Sequence, residues 1–590
     1  MKDLTATYSA LSGPKELLYI YCNFLSLLFI TIVTVLLVIS DKKQFSVSGS
    51  YYVTLTKHRT SVQIVVQIVS ASFGFLQQSV TCQLFNYATR LRFRRKPPTL
   101  DAIYAWNSIS AARAAWGLRT TFLLPTLIFA LSMLIPSALW AGAITPTIIA
   151  TQSSSLSPLA IPQFQNSSNI REWPCEIGKS GPLLRTPKGL FSFSPGLRML
   201  GSLVSSAASA TTVDGRIRQH PKSDNSRYTY NGRSHGVGSS VGLVDDVIAS
   251  NPLALSYVYQ ENGLRADVKC IYNLSTEYVA GAEYDTEIYP IHGKLPNSRD
   301  GAEEYSDFFG HNTDAIVSIG VAANNASTER ILGIAAGESY ATLNATQCTI
   351  NFSPKIFKVS VSLTDHSINV TEVSDGMDFP ASQNLTRTLI RQFEFITNDQ
   401  TSLYVAVLGD SFNSSIASYN SSVATPPSQA EATLAGLTNS VTAMVDDLLV
   451  AYASAQLMIM NDSSLVYAAV EINAFRYGST LYIYLTFAIN TAIILLLVEE
   501  ALRTRGWRDL LHFDYTDPRC LIVGASMGGC AVARVAEDAR IDRGKPLYKY
   551  DERAVGDVRV ALHENQRAIV LDTSRSEQKE LPRIASRDDD

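Results

Sequence analysis

Residues 17–39 read LLYIYCNFLSLLFITIVTVLLVI and carry no charged side chain. A helix of this length, rising 1.5 Å per residue, would be roughly 35 Å long, enough to cross a hydrocarbon core of about 30 Å. The alternative is a cleaved signal peptide, whose apolar region is about 7–15 residues long and precedes a site of small residues. This run is longer and is followed by Ser40-Asp41-Lys42-Lys43. The stretch therefore predicts a transmembrane helix over 17–40.

The overall composition combines two kinds of segment. Of the 590 residues, 17% are charged, against about 25% in a typical soluble domain. The apolar residues collect in a few long runs, which predicts bilayer-spanning material beside a water-soluble part. The formal net charge of −4 gives no indication of nucleic-acid binding. No phosphate-binding or dinucleotide-binding glycine motif is present, so the sequence predicts no cofactor.

A second apolar run covers 61–88 and contains Gln67, Gln77 and Gln78. Amide side chains in lipid need partners, so this run is either a span packed against other helices or an amphipathic helix on the surface. We favour the span.

Two further runs, 122–144 and 478–498, are more uniformly apolar. Pro125 and Pro136 are expected to kink the first of them, because proline lacks the backbone N–H that a helix interior uses. Tyr482 and neighbouring tyrosines at the start of the second fit an interfacial aromatic belt. Both runs predict transmembrane helices.

The orientation of these spans follows from the Asn-x-Ser/Thr sequons, which are acceptors for N-linked glycans in the secretory pathway. All of them lie between the third and fourth apolar runs, which predicts an outer or lumenal location for that interval. The predicted glycosylation sites are Asn166, Asn273, Asn325, Asn344, Asn351, Asn369, Asn384, Asn413, Asn420 and Asn461.

Basic residues give an independent orientation, because they are enriched on the cytosolic side of membrane spans. One basic cluster, 90–96, precedes the third run, and Arg503, Arg505 and Arg508 follow the fourth. Both clusters therefore mark the inner side. The segment 41–60 is an exception, since it carries four basic residues but lies outside in a four-span arrangement. A three-span arrangement, with an outer N-terminus and a surface-lying second run, is the alternative.

The predicted protein is thus a membrane protein with four, or alternatively three, α-helical spans and a large strand-rich α+β domain outside. The predicted divisions are an inner segment (1–16), spans (17–40, 61–88, 122–144 and 478–498), an inner basic loop with an interfacial helix (89–121), the outer domain (145–477) and an inner tail (499–590) with a disordered end.

The outer domain shows strand patterns and one long helix. In KIFKVSVSLTDHSINVTEV, residues 355–373, apolar and polar side chains alternate on both sides of a short turn, which predicts a hairpin. Asn351 and Asn369 fall on the predicted polar faces of strands. Ser428 and Glu431 form a capping box before apolar residues at helical spacing, which predicts a core-packing helix.

Three cysteines lie in the predicted outer domain, at Cys175, Cys270 and Cys348. An oxidising compartment favours disulfide formation, although an odd number leaves one cysteine over. Cys270 and Cys348 both lie in strand-like sequence, so we predict that these two pair.

Two serine motifs suggest hydrolase chemistry but lack the other groups that it needs. Ser526 lies in a G-x-S-x-G sequence close to the fourth span, without the several preceding strands of an α/β-hydrolase. Ser411 ends LYVAVLGDS, a strand-like run, yet no histidine follows His366 in the outer domain to accept its proton. The remaining histidines form no metal-binding motif. The sequence therefore predicts no catalytic and no metal-ligating residues.

Five stretches carry a resemblance. PSALWAGAITP, ILGIAAGESYATLNATQCTINFSP, LTNSVTAMVDDLLVAYASAQLMI, EEALRTRGW and FDYTDP are similar to sequences of fungal multi-span membrane proteins of unknown function. The resemblance runs from about Val62 to Gly529. It implies a cell-surface or endomembrane location and supplies neither an activity nor site residues.

The function expected from these observations is that of a non-enzymatic surface protein, which binds an extracellular ligand or protein through its outer domain. Its other expected partner is the lipid bilayer. A membrane-anchored serine hydrolase and an oligomeric transporter or channel are the alternatives.

Overall fold

The computed structural model describes residues 2–153, 155–164, 197–224, 226–280, 288–296, 304–309, 314–322, 329–375, 383–399, 405–460, 463–504, 513–527, 556–565 and 568–573. The chain divides into two compact units. Unit 1 comprises Met1–Ile149 and Ala474–Asp590, and unit 2 comprises Ala150–Asn473. The boundaries of unit 2 lie a few residues inside those predicted for the outer domain. The predicted disordered end, from 574 onward, lies outside the described residues.

The helices are named in chain order. They are α1 (Lys2–Lys42), α2 (Ser50–Lys57), α3 (Arg59–Arg95), α4 (Leu100–Ser110), α5 (Thr120–Ser132), α6 (Ile135–Ile144), α7 (Leu197–Ala208), α8 (Asp246–Ala249), α9 (Gln383–Asp399), α10 (Val407–Ser422), α11 (Gln429–Ala455), α12 (Thr480–Arg503) and α13 (Pro518–Met527).

The strands follow the same rule. They are β1 (Pro146–Gln152), β2 (Ser157–Pro162), β3 (Gln219–Pro221), β4 (Thr229–Asn231), β5 (Ala254–Tyr272), β6 (Val279–Ala280), β7 (Ile288–Gly293), β8 (Glu304–Phe309), β9 (Val317–Val321), β10 (Glu329–Ala336), β11 (Thr346–Ser362), β12 (Ser367–Asp375), β13 (Ser463–Tyr477), β14 (Val560–Asn565) and β15 (Ala568–Thr573).

Within the described residues, five helical segments are long and apolar enough to cross a membrane. They are Tyr21–Lys42, Arg59–Phe93, Thr120–Ile144, Gln429–Met458 and Thr480–Arg503. Their burial separates them into two groups. The segment in α11 is 72% buried within the protein, whereas the other four are 11–22% buried. The first group, α11 alone, is a core helix of unit 2, and the other four correspond to the predicted spans.

One predicted boundary in unit 1 is wrong. Residues 89–95, predicted as part of an inner loop, continue α3 as far as Arg95. The helix runs on because the chain offers no helix breaker before Pro97 and Pro98. The third run corresponds to one apolar segment, Thr120–Ile144, which is interrupted at Met133 and Leu134 between α5 and α6. Pro136 is the second residue of α6, where its missing N–H is not needed, whereas Pro125 lies inside α5.

The four apolar helices of unit 1 form an up-and-down bundle. At one end, Thr480 Oγ1 donates a hydrogen bond to Asp41 Oδ1 at 3.1 Å, and the backbone N–H of Gly478 donates to Thr145 at 3.0 Å. These contacts join the end of α1, the end of α6 and the start of α12. The rings of Tyr52 and Phe475 stack there as well, 4.7 Å apart, just before α3 begins. We call this the Asp41 end and the opposite one the Arg90 end.

Polar side chains inside the bundle bond to one another between helices. Trp140 Nε1 donates to Gln77 Oε1 at 3.0 Å, which links α6 to α3. Asn490 Nδ2 donates to Thr31 Oγ1 at 3.0 Å, which links α12 to α1. Gln67, by contrast, is exposed, about two turns from the start of α3 at the Asp41 end. Of the glutamines in the second run, Gln77 is thus bonded to another helix through its Oε1 atom.

Close helix contacts in the bundle depend on glycine. A Cβ atom added to Gly74 would lie 2.6 Å from Cβ and 2.7 Å from Cα of Ser137. Such an approach allows α3 and α6 to pack backbone against backbone, as small residues do between membrane helices.

Replacing Gly74 with valine is expected to separate α3 from α6 and to destabilise the bundle by about 1–3 kcal/mol, the usual cost of overpacking. The measurement is the thermal unfolding midpoint of the full chain in detergent. Ala71→Val is the matched control, because the Ala71 side chain is exposed one turn away. Equal midpoints for the two variants would contradict this packing.

The Arg90 end of the bundle carries a small cap made from two distant parts of the chain. The Thr99 side chain caps α4 by accepting a hydrogen bond from the backbone N–H of Ala102 at 3.2 Å. Two backbone hydrogen bonds, from Leu100 to Val558 and from Val560 to Pro98, join the segment before α4 to β14. The guanidinium of Arg119 binds both carboxylate oxygens of Asp557, at 2.7 and 2.9 Å. Residues 557–560 therefore pack against the segment that precedes the third run.

Unit 2 is built on a mixed ten-stranded sheet with the order β1-β13-β5-β11-β12-β4-β3, in which β10 also pairs with β11 and β9, and β2 with β13. The long strands β5 and β11 are antiparallel over their whole length, while β12 and β4 are parallel. The predicted hairpin is confirmed as β11 and β12, with Val359 opposite Val370. Helices in the same unit make it an α+β structure.

The main core of unit 2 lies between this sheet and its helices. Buried side chains of α7, α9, α10 and α11 pack against those of β5, β9, β10 and β11. The capping box that begins α11 is confirmed, because Ser428 Oγ accepts from the backbone N–H of Glu431, whose carboxylate accepts from Ser428. The core-packing interpretation of this helix is confirmed by its burial.

Candidate functional site

The predicted glycosylation sites differ in how accessible their side chains are. Exposed sites are Asn344, Asn351, Asn369, Asn413 and Asn420. Asn273 is half-buried, and its Nδ2 donates to Gln347 Oε1 at 2.7 Å. Outside the described residues lie Asn166, Asn325 and Asn461, together with the side chain of Asn384.

The predicted disulfide partners lie directly opposite each other on neighbouring strands. Cys270 of β5 faces Cys348 of β11 in the antiparallel register, and their sulfur atoms form a disulfide. The bond ties together positions 78 residues apart in the chain. Cys175 lies outside the described residues.

Neither serine motif has the geometry of a catalytic nucleophile. Ser526 lies inside α13, so the preceding Leu-Ile-Val is helical rather than the strand of a nucleophile elbow, and its Oγ donates to the carbonyl of Val523 at 3.2 Å. Ser411 lies in α10, where its Oγ donates to the carbonyl of Val407 at 2.9 Å. The strand expected up to Ser411 is therefore wrong, because helix α10 starts at Val407. Among the described residues, no three His, Cys, Asp or Glu side chains are grouped to hold a metal ion.

A buried charged cluster, which the sequence did not reveal, lies in unit 2 around Asp446 and Asp447 of α11. Arg233 binds Asp446 through both carboxylate oxygens, at 2.8 and 2.9 Å. Asp447 accepts a hydrogen bond from Ser206 and lies 3.6 Å from His220 Nε2. Both aspartates are 2% exposed. The signal was present, because two adjacent carboxylates in an otherwise apolar helix require buried partners.

A second buried carboxylate, Glu261, projects from β5 into the same unit. Its Oε2 accepts a hydrogen bond from the backbone N–H of Gly238 at 2.9 Å. Burial raises the pKa of Glu261 to about 7, although the Gly238 hydrogen bond and the charge of Lys222 act in the other direction. Lys222 is buried as well, and its Nζ lies 2.5 Å from Asp224 Oδ2. These groups are largely paired within the fold, which is typical of a structural role.

A cavity of about 430 Å³ lies in unit 1, within the size range of small-molecule sites. One face of α3 supplies most of its wall, with side chains at the spacing of a helical stripe. This polar stripe consists of Gln78, Ser79, Cys82, Gln83, Asn86 and Arg90. The opposite wall comes from residues 110–112, at the end of α4, and from Asp514 and Thr516.

The charged groups of this cavity lie at the Arg90 end. Arg90 is 2% exposed. Asp514 Oδ1 accepts hydrogen bonds from the backbone N–H of Thr516 at 2.9 Å, from Thr516 Oγ1 at 2.6 Å and from Asn86 Nδ2 at 3.3 Å. Beside them, Tyr515 contacts Thr89 and lies 3.2 Å from Ser110 Oγ. A buried polar wall on an otherwise apolar helix is where a membrane protein binds ligands or ions.

Only one wall of this cavity could be predicted from the sequence. The glutamines of the second run were recognised as polar, and the stripe from Gln78 to Arg90 has a readable helical period. The other wall could not be foreseen, because Asp514 is more than 400 residues away from Asn86 in the chain.

Comparison with known proteins identifies no relative of this chain. No family model, no curated protein and no solved structure matches this chain.

Proposed function

We propose that this chain is an integral membrane protein that crosses the bilayer through α1, α3, α5–α6 and α12. Unit 2 lies outside or in a lumen, carries N-linked glycans and binds an extracellular ligand or protein without catalysing a reaction. A fungal cell surface or endomembrane is the location that the sequence resemblance favours.

The observation that carries this proposal is that the helix bundle of unit 1 exposes apolar side chains and buries polar ones. Large apolar side chains are exposed along its helices, among them Leu25, Leu36, Ile68, Leu124, Leu134, Leu481 and Leu495. Polar groups such as Gln77 and Asn490 are buried and bonded between helices. A water-soluble protein rarely exposes so large an apolar surface, whereas lipid favours it.

The orientation is supported by the accessibility of the sequons and by the basic residues. Five sequon asparagines of unit 2 are exposed, as glycan attachment requires. Arg90 and Arg503 lie at the end of the bundle opposite Asp41, which favours that end as the cytosolic one. The four-helix arrangement supports four spans rather than three.

The basic residues of segment 41–60 have a local explanation in this orientation. Lys42 ends α1 and Lys43 follows it, next to Asp41. The Asp41 carboxylate accepts a hydrogen bond from Thr480 and lies 3.8 Å from Arg476 Nη1. Charged residues next to a span can lie in the headgroup layer on either side, because the inside preference of basic residues is statistical.

In intact cells, an external protease is expected to cleave unit 2 and to leave an epitope after Arg503 protected. Endoglycosidase treatment should increase the electrophoretic mobility of the protein, and Asn369→Gln should increase it by the equivalent of one glycan. Asn262→Gln is the matched control, since Asn262 lies on a strand of the same sheet but is not a sequon. A protected unit 2 with an accessible tail would contradict the orientation.

The binding role is tested separately. The full chain in detergent should retain wall polysaccharides or secreted proteins on an affinity support, whereas the same protein with reduced disulfide and unfolded unit 2 should not. Absence of binding to both classes would contradict this part of the proposal.

A further inference from the structure

The two ends of the cavity in unit 1 are chemically different. Phe75 borders one end and is 68% exposed, while Arg90 and Asp514 border the other. Fifteen residues of helix separate Phe75 from Arg90, which corresponds to roughly 22 Å. Between them, the wall is formed by amide and hydroxyl side chains. A site that is long, apolar at one end and charged at the other matches an amphiphile better than a small ion.

The charged end carries both signs. The Arg90 guanidinium has five N–H donors and favours the oxygens of a phosphate or carboxylate. All three hydrogen bonds to Asp514 end on Oδ1, so Oδ2 has no donor among the residues that the structure describes. The Oδ2 atom can therefore accept a hydrogen bond from an N–H group of a ligand. A ligand bearing only negative charge would be repelled by Asp514, and one bearing only positive charge by Arg90.

We infer that this cavity binds a zwitterionic phospholipid with a primary ammonium group, its phosphate beside Arg90, its ammonium beside Asp514 Oδ2 and an acyl chain toward Phe75. The inference rests on the membrane placement proposed above, in which the Arg90 end lies at the cytosolic leaflet. The exposure of Phe75 provides the opening to the surrounding lipid that an acyl chain needs. A choline headgroup fits less well, because its quaternary nitrogen has no N–H to donate.

The test uses the full chain reconstituted in nanodiscs that contain equal amounts of ethanolamine, choline and glycerol phospholipids. The protein is then re-extracted in detergent, and the lipids that remain bound are quantified by mass spectrometry. We expect ethanolamine phospholipid to be enriched about tenfold over the others, the factor that one charge-assisted contact provides.

Variants separate the two charges. Arg90→Gln is expected to lower the retention of every phospholipid about tenfold. Asp514→Asn is expected to abolish the preference for ethanolamine over glycerol phospholipid while total retention persists. The matched control is Arg92→Gln, since Arg92 is exposed on the same helix and does not line the cavity. Ala111→Trp, which places bulk at the cavity wall, should lower retention without removing a charge and covers the case in which Arg90→Gln fails to fold.

The outcomes distinguish the possible errors. Displacement of bound lipid by inorganic phosphate or by glycerophosphoethanolamine alone would overturn the lipid assignment in favour of a soluble phosphate ligand. The cavity site would be overturned if the bound lipids had the same proportions as the nanodisc lipids, or if Arg92→Gln lowered retention as much as Arg90→Gln. The membrane proposal would still stand if the protein remained integral in that case. Release of the chain from membranes by alkaline carbonate would contradict the membrane placement itself.

Discussion

Replacing Asp446 with alanine is expected to lower the free energy of unfolding of unit 2 by about 3–5 kcal/mol. Asp446 is 2% exposed, and its carboxylate binds Arg233 through both oxygens. Removing Asp446 leaves a partly buried guanidinium without its bidentate partner, which costs more than the intact pair contributes. Arg233 Nη2 would keep only its bond to the Ala266 carbonyl among the contacts described here.

Amide hydrogen exchange of β5 and α11 in the full chain measures this loss, because those central elements open only with the whole unit. The matched control is Asp246→Ala, since the Asp246 side chain is exposed in the same unit. The double variant Arg233→Leu/Asp446→Leu should recover much of the stability, since it leaves no unpaired charge. Equal exchange protection in Asp446→Ala and Asp246→Ala would contradict the role of this pair.

Glu261→Gln is expected to remove a pH dependence of about 3 kcal/mol from the stability of unit 2. The pKa of Glu261 is raised from 4.5 to about 7 in the fold, chiefly by burial. Between these two pH values the folded state binds more protons than the unfolded state. The stabilising effect of the protonated carboxyl is therefore complete below about pH 4.5 and is lost as the pH rises through 7.

The comparison isolates Glu261 from its charged neighbours, since Lys222, Asp245 and the tyrosines at 230 and 259 remain in both proteins. Thermal unfolding midpoints are measured between pH 5 and pH 8. The wild-type midpoint should fall across this range relative to that of Glu261→Gln, because glutamine keeps an acceptor for Gly238 but never ionises. A constant difference between the two proteins would show that Glu261 does not titrate in this range.

Much of unit 2 could be predicted where strand or helix periodicity is strong. The β11–β12 hairpin and the capping box of α11 follow patterns of local sequence. The opposition of Cys270 and Cys348 depends instead on the pairing of β5 with β11, because the two cysteines are 78 residues apart in the chain. The run ending at Ser411 was misread, because a short apolar stretch fits a strand and a buried helix equally well. Only the packing of α10 against the core decides between them.

The candidate site was predictable only in part, for a similar reason. A polar stripe on α3 is visible in the sequence, yet it forms a cavity only where another element packs opposite it. Asp514 and the end of α4 provide that cover, and no local pattern connects them with Asn86.

The apolar runs, their lengths and the interval that holds all the sequons can be read without a structure, because these properties depend only on the order of residues along the chain. Tertiary structure decided that Gln77 bonds to Trp140, that α11 is a core helix despite its apolar length, and that Arg90 and Asp514 share one cavity. The physical reason is that burial and pairing of polar groups depend on which distant segments meet, and hydropathy does not encode that choice. The run that begins at Leu17 therefore predicted a span, whereas its place beside α3 and α12 came from side-chain contacts alone.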